Sequence, residues 1–100
     1  MTTYRLVVEP DAEDDVQAAF EWYDGQRAGL GQEFLNELTA TYDRVRVGPL
    51  RYQILRSRTR HALLRRFPYG VFFSVVGDVI VVTTVLHSGR DPAIWQSRRR

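Results

Sequence analysis

The chain has 100 residues, of which 44% are apolar and 26% are charged, and it contains no cysteine. This length and balance predict one soluble globular domain over residues 1–100 and exclude wholesale disorder. The lack of cysteine excludes disulfides and thiolate sites, and no apolar run is long enough for a transmembrane helix. Because the N-terminus lacks the pattern of a signal peptide, we expect a cytoplasmic protein.

Acidic and basic residues are divided unequally along the chain. Residues 1–43 contain ten acidic residues and two arginines, whereas residues 44–100 contain twelve arginines and two acidic residues. All fourteen basic residues are arginine, and a guanidinium stays protonated in proteins. Only the two histidines, His61 and His87, can therefore exchange protons near neutral pH.

The N-terminal half predicts one strand followed by two helices. Residues 4–9 favour a short strand, and Pro10 suits the first turn of a helix whose acidic residues 11–15 lie on a solvated face. Apolar residues up to Tyr23 have helical spacing, and Trp22 is interpreted as a helix-packing residue. Glycines in residues 25–31 predict a turn, after which a second helix runs to Gly48-Pro49.

The C-terminal half predicts strands. They are expected at residues 52–58, 60–67, 70–76 and 79–87, with a hairpin loop at Gly77-Asp78. One helical turn is predicted within residues 90–95, and residues 96–100 are expected to be mobile in water. Trp95 is expected in the core, and the alternative is that a partner covers it. The fold class is therefore α+β: an N-terminal strand, an α-helical hairpin, and a three- to four-stranded antiparallel sheet.

Motifs for metals and cofactors are missing. Neither His61 nor His87 has a second ligand at helix or hairpin spacing. Gly29-Leu30-Gly31 lacks the further glycine and the preceding strand of a dinucleotide motif. We therefore expect no metal and no cofactor.

Eight arginines between residues 44 and 66 follow one another without an acidic residue. Arg56, Arg58 and Arg60 occupy alternate positions, so an extended chain would place them on one face. A cationic surface of this kind favours an anionic partner, either nucleic acid or an acidic polypeptide. A solvated sheet face is the alternative interpretation.

Several motifs together resemble a known superfamily. They are Ala12-x-x-Asp15-Val16 with Trp22-Tyr23, Gly29-Leu30-Gly31-x-x-Phe34-Leu35, Arg65-Arg66-Phe67-Pro68-Tyr69, and Val85-Leu86-His87-x-x-Arg90-Asp91-Pro92 with Trp95. Their order and spacing, over about residues 4–95, resemble the RelE/ParE toxins of type II toxin–antitoxin systems, and the ParE-like members more closely. The fold that this resemblance implies, a helix hairpin on a small antiparallel sheet, agrees with the predicted elements.

The resemblance implies a toxin that inhibits growth by binding a target, DNA gyrase, without a cofactor. It also implies a cognate antitoxin with an acidic C-terminal segment, joined with the toxin in a hetero-oligomer. The alternative is a RelE-like, metal-independent endonuclease that cuts messenger RNA on the ribosome. Neither activity involves a membrane. A third possibility is a non-toxic relative that serves as a binding module.

RNA cleavage would need cationic donors together with an acid and a base. The residues available for it are Arg65, Arg66, Arg90 and His87. The chain has no lysine, no tyrosine after Tyr69, and no acidic residue between Asp43 and Asp78. This incomplete set favours the ParE-like function.

The residues expected to bind antitoxin or target are basic or aromatic: Arg56, Arg58, Arg60, Arg65, Arg66, Tyr69, His87 and Arg90. His87 has three possible roles, namely a general acid or base, a binding residue at the target face, and a strand-end histidine bonded to the Arg90-Asp91 turn. For Tyr69, packing in the turn is favoured over a functional role.

Overall fold

The computed structural model describes residues 3–98, in which two long helices cover one face of a five-stranded sheet. In chain order the elements are β1 (Arg5–Val8), α1 (Pro10–Gln26), α2 (Leu30–Val47), a 3-10 helix (Pro49–Arg51), β2 (Ile54–Arg56), β3 (Thr59–Leu63), β4 (Tyr69–Val76), β5 (Val79–His87) and α3 (Ala93–Ser97). The predicted α+β class and the helix hairpin are confirmed. Within residues 3–98 no helix combines the length and apolarity needed to cross a bilayer.

The sheet has the strand order β1-β5-β4-β3-β2. The four C-terminal strands pair antiparallel, as predicted, but β1 pairs parallel with β5, so that Leu6 lies opposite Ile80. The sheet is therefore mixed and five-stranded rather than purely antiparallel. Parallel neighbours need a long connection, and here the chain between β1 and β5 contains both long helices and the strands β2, β3 and β4.

The helix hairpin is closed by a tight turn. Gly29 has φ of 90°, a left-handed conformation that favours glycine. The Asp24 carboxylate accepts the backbone N–H groups of Gly29 and Gly31, at 3.0 and 3.2 Å, and thereby caps the start of α2. A Cβ at Gly31 would lie 2.7 Å from the Phe20 ring, so glycine allows the close approach of the two helices.

The core lies between the helices and the sheet. Its largest fully buried side chains include Phe34 and Val45 of α2, Phe73 of β4, and Ile80 of β5. An extra residue in β5 shifts the register, because Phe72 pairs with Thr84 whereas Phe73 pairs with Val82. This bulge lets β5 keep apolar residues on the core side along its whole length.

The opposite face of the sheet is covered by the C-terminal helix. Trp95 is 7% exposed and stacks on Phe72, with ring centroids 5.2 Å apart. The expectation that residues 96–100 are mobile is wrong for residues 96–98. Gln96 accepts a hydrogen bond from Arg56, and Arg98 forms an ion pair with Asp15. Arg99 and Arg100 lie outside the described residues.

Candidate functional site

A cleft of about 770 Å³ opens between α1, the adjoining ends of β4 and β5, and α3. Its volume lies within the range of pockets that bind ligands or partner side chains. The lining is mostly apolar, and the polar or aromatic residues that border it are Asp15, Trp22, Tyr23, Tyr69, His87, Arg90 and Arg98. Three of the eight predicted binding residues therefore lie together here: Tyr69, His87 and Arg90.

Trp22 is the exposed aromatic residue of the cleft. Its side chain is 59% exposed, although its ring touches Tyr23 at a centroid distance of 5.0 Å. Tyr23 continues into the buried aromatic cluster through Phe34 and Phe67. The interpretation of Trp22 as a helix-packing residue is therefore wrong. Its position, next to Tyr23 but outside the apolar stripe of α1, was the available signal.

His87 and Tyr69 face each other across β4 and β5, with ring centroids 5.4 Å apart. The Nδ1 atom of His87 accepts the backbone N–H of Gly89 at 2.9 Å. A neutral ring that accepts at Nδ1 carries its proton on Nε2, and the His87 side chain borders the cleft. His87 borders the cleft, as its role as a binding residue requires, and its ring is bonded to Gly89 rather than to the Arg90-Asp91 turn.

Tyr69 is a neutral hydrogen-bonding group near physiological pH. Burial raises the pKa of the Tyr69 hydroxyl, and the positive charge of Arg90 opposes this rise only in part. Burial likewise raises the pKa of Tyr23 at the base of the cleft. Both phenols therefore keep their protons, and neither supplies a base.

Asp15 closes one end of the cleft. Its side chain is 18% exposed, and its Oδ2 accepts both the Val85 backbone N–H, at 3.0 Å, and the Arg98 guanidinium. Val85 lies beyond the last residue of β5 that pairs with β1, so the carboxylate satisfies a strand N–H that lacks a strand partner. The expectation that this acidic residue lies on a solvated face is wrong.

The arginines of the β2–β3 hairpin do not share one extended face. Arg56 ends β2, Arg58 lies in the turn, and Arg60 lies in β3, because Ser57 adopts φ of 55° and reverses the chain. Arg60 donates to the carbonyls of Leu50 and Tyr52, at 3.2 and 2.7 Å. None of the three lines the cleft.

Arg65 and Arg66 follow the end of β3, which stops at Leu63 rather than at residue 67 as predicted. Arg66 pairs with Glu33 of α2 at 3.0 Å and lies over the Phe67 ring. The hydrogen bonds that Arg66 and Arg27 donate to Glu33 lower the pKa of its carboxyl group. Neither Arg65 nor Arg66 lines the cleft.

The residues proposed for RNA cleavage are therefore not brought together. His87 and Arg90 lie in the cleft, whereas Arg65 and Arg66 lie beside α2. Asp15 is the carboxylate that lines the cleft, and it is already bonded to Val85 and Arg98. Within the described part of the chain, no cluster of three His, Asp or Glu side chains could hold a metal ion.

Comparisons with known proteins agree with this architecture. A family model described as ParE toxin of type II toxin-antitoxin system, parDE, matches residues 6–92. The fold is similar to a solved chain titled "Chromosomal ParDE TA system from P. aeruginosa", with a TM-score of 0.77 and 15% identity, over 85% of this chain and 96% of that chain. No curated protein matches the chain in sequence. Because the family model covers most of the sequence, the chain belongs to the ParE toxin family of type II toxin–antitoxin systems.

Proposed function

We propose that the chain is a toxin that inhibits DNA gyrase by binding it through the cleft, and that a cognate antitoxin neutralises it. Membership of the ParE family supports the toxin class. The observation that carries the non-catalytic mechanism is the hydrogen bond from the Gly89 N–H to His87 Nδ1. Such a toxin acts in the cytoplasm, on a macromolecular target.

The cleft has the chemistry of a protein-binding site. Exposed tryptophan and arginine side chains dominate the binding energy of many protein interfaces. Trp22 and Arg90 flank the apolar lining, and the described residues contain no acidic group in an ion pair with Arg90. The hydrogen-bonding side chains of Tyr69 and His87 would fix the orientation of a bound segment.

The same geometry does not favour proton transfer. The Nδ1 atom of His87 already accepts the N–H of Gly89, so this nitrogen is not free to take a proton from a substrate. Asp15 is engaged by Val85 and Arg98, and burial keeps the Tyr69 hydroxyl protonated. A messenger RNA endonuclease would therefore lack a free base in this cleft.

A paired assay separates the two mechanisms. The wild-type chain should block gyrase supercoiling and leave ribosome-bound messenger RNA uncut. His87→Ala should weaken gyrase inhibition, whereas His87→Gln, which retains an N–H donor, should restore most of it. A general acid or base contributes about 10²- to 10⁴-fold. If the wild type cuts messenger RNA and both variants have lost this activity, the proposed binding mechanism is contradicted.

Trp22 provides the test of the cleft itself. Trp22→Ala should raise the concentration needed for half-maximal gyrase inhibition about 30-fold, the size of a hot-spot loss of about 2 kcal/mol. Leu63→Ala is the matched control, because Leu63 is equally exposed, at 59%, but lies outside the cleft. Equal inhibition by both variants would remove the cleft from the target interface.

The antitoxin segment proposed to neutralise the toxin is acidic and amphipathic, and it orders on binding. The excess of arginine after residue 43 supports this charge. Opposite charges accelerate association and make it sensitive to salt. The association rate should therefore fall between low salt and about 0.5 M salt, where screening acts within a few ångströms. An unchanged rate would contradict electrostatic steering.

A further inference from the structure

A second surface of unusual composition lies at the other end of the sheet. We call it the distal patch; it consists of Tyr4, Leu50, Ile54, Arg58, Arg60, Val75 and Gly77 around a depression of about 320 Å³. Leu50 and Ile54 are 58% and 49% exposed. Two half-exposed aliphatic side chains beside one depression are a feature of interaction sites.

The distal patch is positively charged. Residues 44–60 contain six arginines and no acidic residue. Arg58 forms no ion pair with any acidic residue in the described part of the chain. Arg60 is held in place by the carbonyls of Leu50 and Tyr52, so its charge is fixed beside the depression. The arrangement therefore combines apolar contact area with positive charge.

We propose that the distal patch binds an acidic, amphipathic polypeptide segment. This inference rests on the proposed function, in that the antitoxin supplies the segment. Apolar side chains of the segment contact Leu50 and Ile54, and its carboxylates pair with the guanidinium groups of Arg58 and Arg60. A cavity of about 150 Å³ holds one benzene molecule, so the depression has room for about two apolar side chains.

An acidic peptide fits the distal patch better than nucleic acid does. Nonspecific binding of single strands combines arginines with aromatic side chains on which bases stack. Among the residues that line this depression Tyr4 is the aromatic one, and it is half-buried. The exposed apolar side chains are aliphatic, Leu50 and Ile54, and phosphates gain nothing from such contacts. The combination favours a ligand that brings both apolar side chains and carboxylates.

The distal patch and the cleft are separate sites. They share no lining residue. The cleft lies at the Tyr69–His87 end of the β4–β5 ladder, and the distal patch lies near the opposite end, beside Gly77. Eight residues of strand span about 25 Å. A segment on the distal patch therefore docks the antitoxin without itself occupying the cleft.

The test uses a labelled 20-residue peptide with leucines at helical spacing and glutamates between them, titrated into the full chain by fluorescence anisotropy. Leu50→Ser, Ile54→Ser and Arg58→Ala should each weaken binding about tenfold, a loss typical of an anchor contact. Leu63→Ser and Arg27→Ala are the matched controls, outside the distal patch, and should change the affinity less than twofold. Because the substituted side chains are exposed, folding should be little affected.

Three results would overturn the proposal. Equal losses in the patch variants and the controls would show that binding depends on the overall charge. Undiminished binding of a peptide with serine in place of leucine would show that the apolar contacts do not contribute. A single-stranded oligonucleotide that loses affinity in the patch variants, while the peptide does not, would assign the surface to nucleic acid.

A gyrase assay on the same proteins distinguishes this inference from the proposed function. Leu50→Ser and Ile54→Ser should inhibit supercoiling as strongly as the wild type, because neither residue lines the cleft. A wild-type chain that binds the peptide through the distal patch but leaves gyrase active would contradict only the proposed target. A chain that inhibits gyrase but does not bind the peptide would contradict only the distal patch.

Discussion

The two faces of the sheet are built differently. One face is covered by the long helices α1 and α2, and the core between them and the sheet contains large buried apolar residues such as Phe34 of α2 and Phe73 of β4. On the other side, Trp95 of the five-residue helix α3 stacks on Phe72. Some buried polar atoms have no hydrogen-bond partner in the described residues, among them Thr84 Oγ1 and His61 Nδ1. Both residues pair with Phe72 in the sheet. Stability therefore resides mainly on the helix-covered face.

The largest effect should come from the helix-covered face. Phe73→Ala removes a fully buried ring and should lower the free energy of unfolding by about 4–5 kcal/mol, because the surrounding core cannot close the cavity. Phe72→Ala, one residue earlier and on the opposite face, is the control and should cost about 3 kcal/mol or less. Urea denaturation measures both values. A larger loss in Phe72→Ala would reverse the comparison.

A chain that ends after Pro92 should lose about 3–4 kcal/mol. It lacks the Trp95 ring that covers Phe72 and the Arg98 guanidinium that pairs with Asp15, and removal of a buried tryptophan alone costs about this much. The melting temperature of the free toxin measures the effect. An unshifted melting temperature together with lost binding of gyrase or antitoxin would show that α3 serves a partner and does not stabilise the fold.

The elements with strong local patterns were predictable from the sequence. The predicted strand 79–87 agrees with β5, because its residues are β-branched and apolar and a glycine-containing turn precedes it. Pro10 marked the start of α1 for the same kind of local reason. The position of β1 was not predictable, since no local pattern distinguishes a strand that pairs in parallel at the sheet edge from one that pairs antiparallel.

The candidate site was predictable only in part. Tyr69, His87 and Arg90 were found because they lie in motifs at the ends of neighbouring strands. The separation of Arg56 from Arg60 depends on a turn at Ser57. This residue has a positive φ, which a sequence usually signals by glycine, and no glycine is present at this position. The role of Asp15 depends on Val85, 70 residues away in sequence, and no spacing rule connects two such positions.

Asp15 of α1 and Arg98, which follows α3, connect the elements that cover the two faces of the sheet. Asp15→Asn should have an intermediate effect on stability. Hydrogen bonds to charged groups contribute about 1.5–3 kcal/mol, and Asp15 accepts two, from Val85 and from Arg98. We expect a loss of about 2 kcal/mol by chemical denaturation. Asp14→Asn is the control, because this neighbouring side chain is exposed, and it should change stability by less than about 0.5 kcal/mol. Equal losses of stability in the two variants would contradict a stabilising contact between Asp15 and Arg98.

The smallest effect concerns pH and the face that α3 covers. The His61 ring stacks on Phe72, its Nδ1 has no partner among the described residues, and burial lowers its pKa below the ordinary 6.5. Between the folded and the unfolded pKa of His61 the unfolded chain binds more protons than the folded one. The His61 contribution to stability is therefore full above pH 6.5 and falls as the pH drops below it.

His61→Phe retains the aromatic contact and removes both the unpaired atom and the titration. At pH 7.5 it should match or exceed the wild type by up to about 1 kcal/mol. Below pH 6.5 the stability difference should increase in favour of the variant, as measured by melting temperatures from pH 7.5 to 5. A difference that does not change with pH would show that His61 is as well solvated in the folded chain as in the unfolded one.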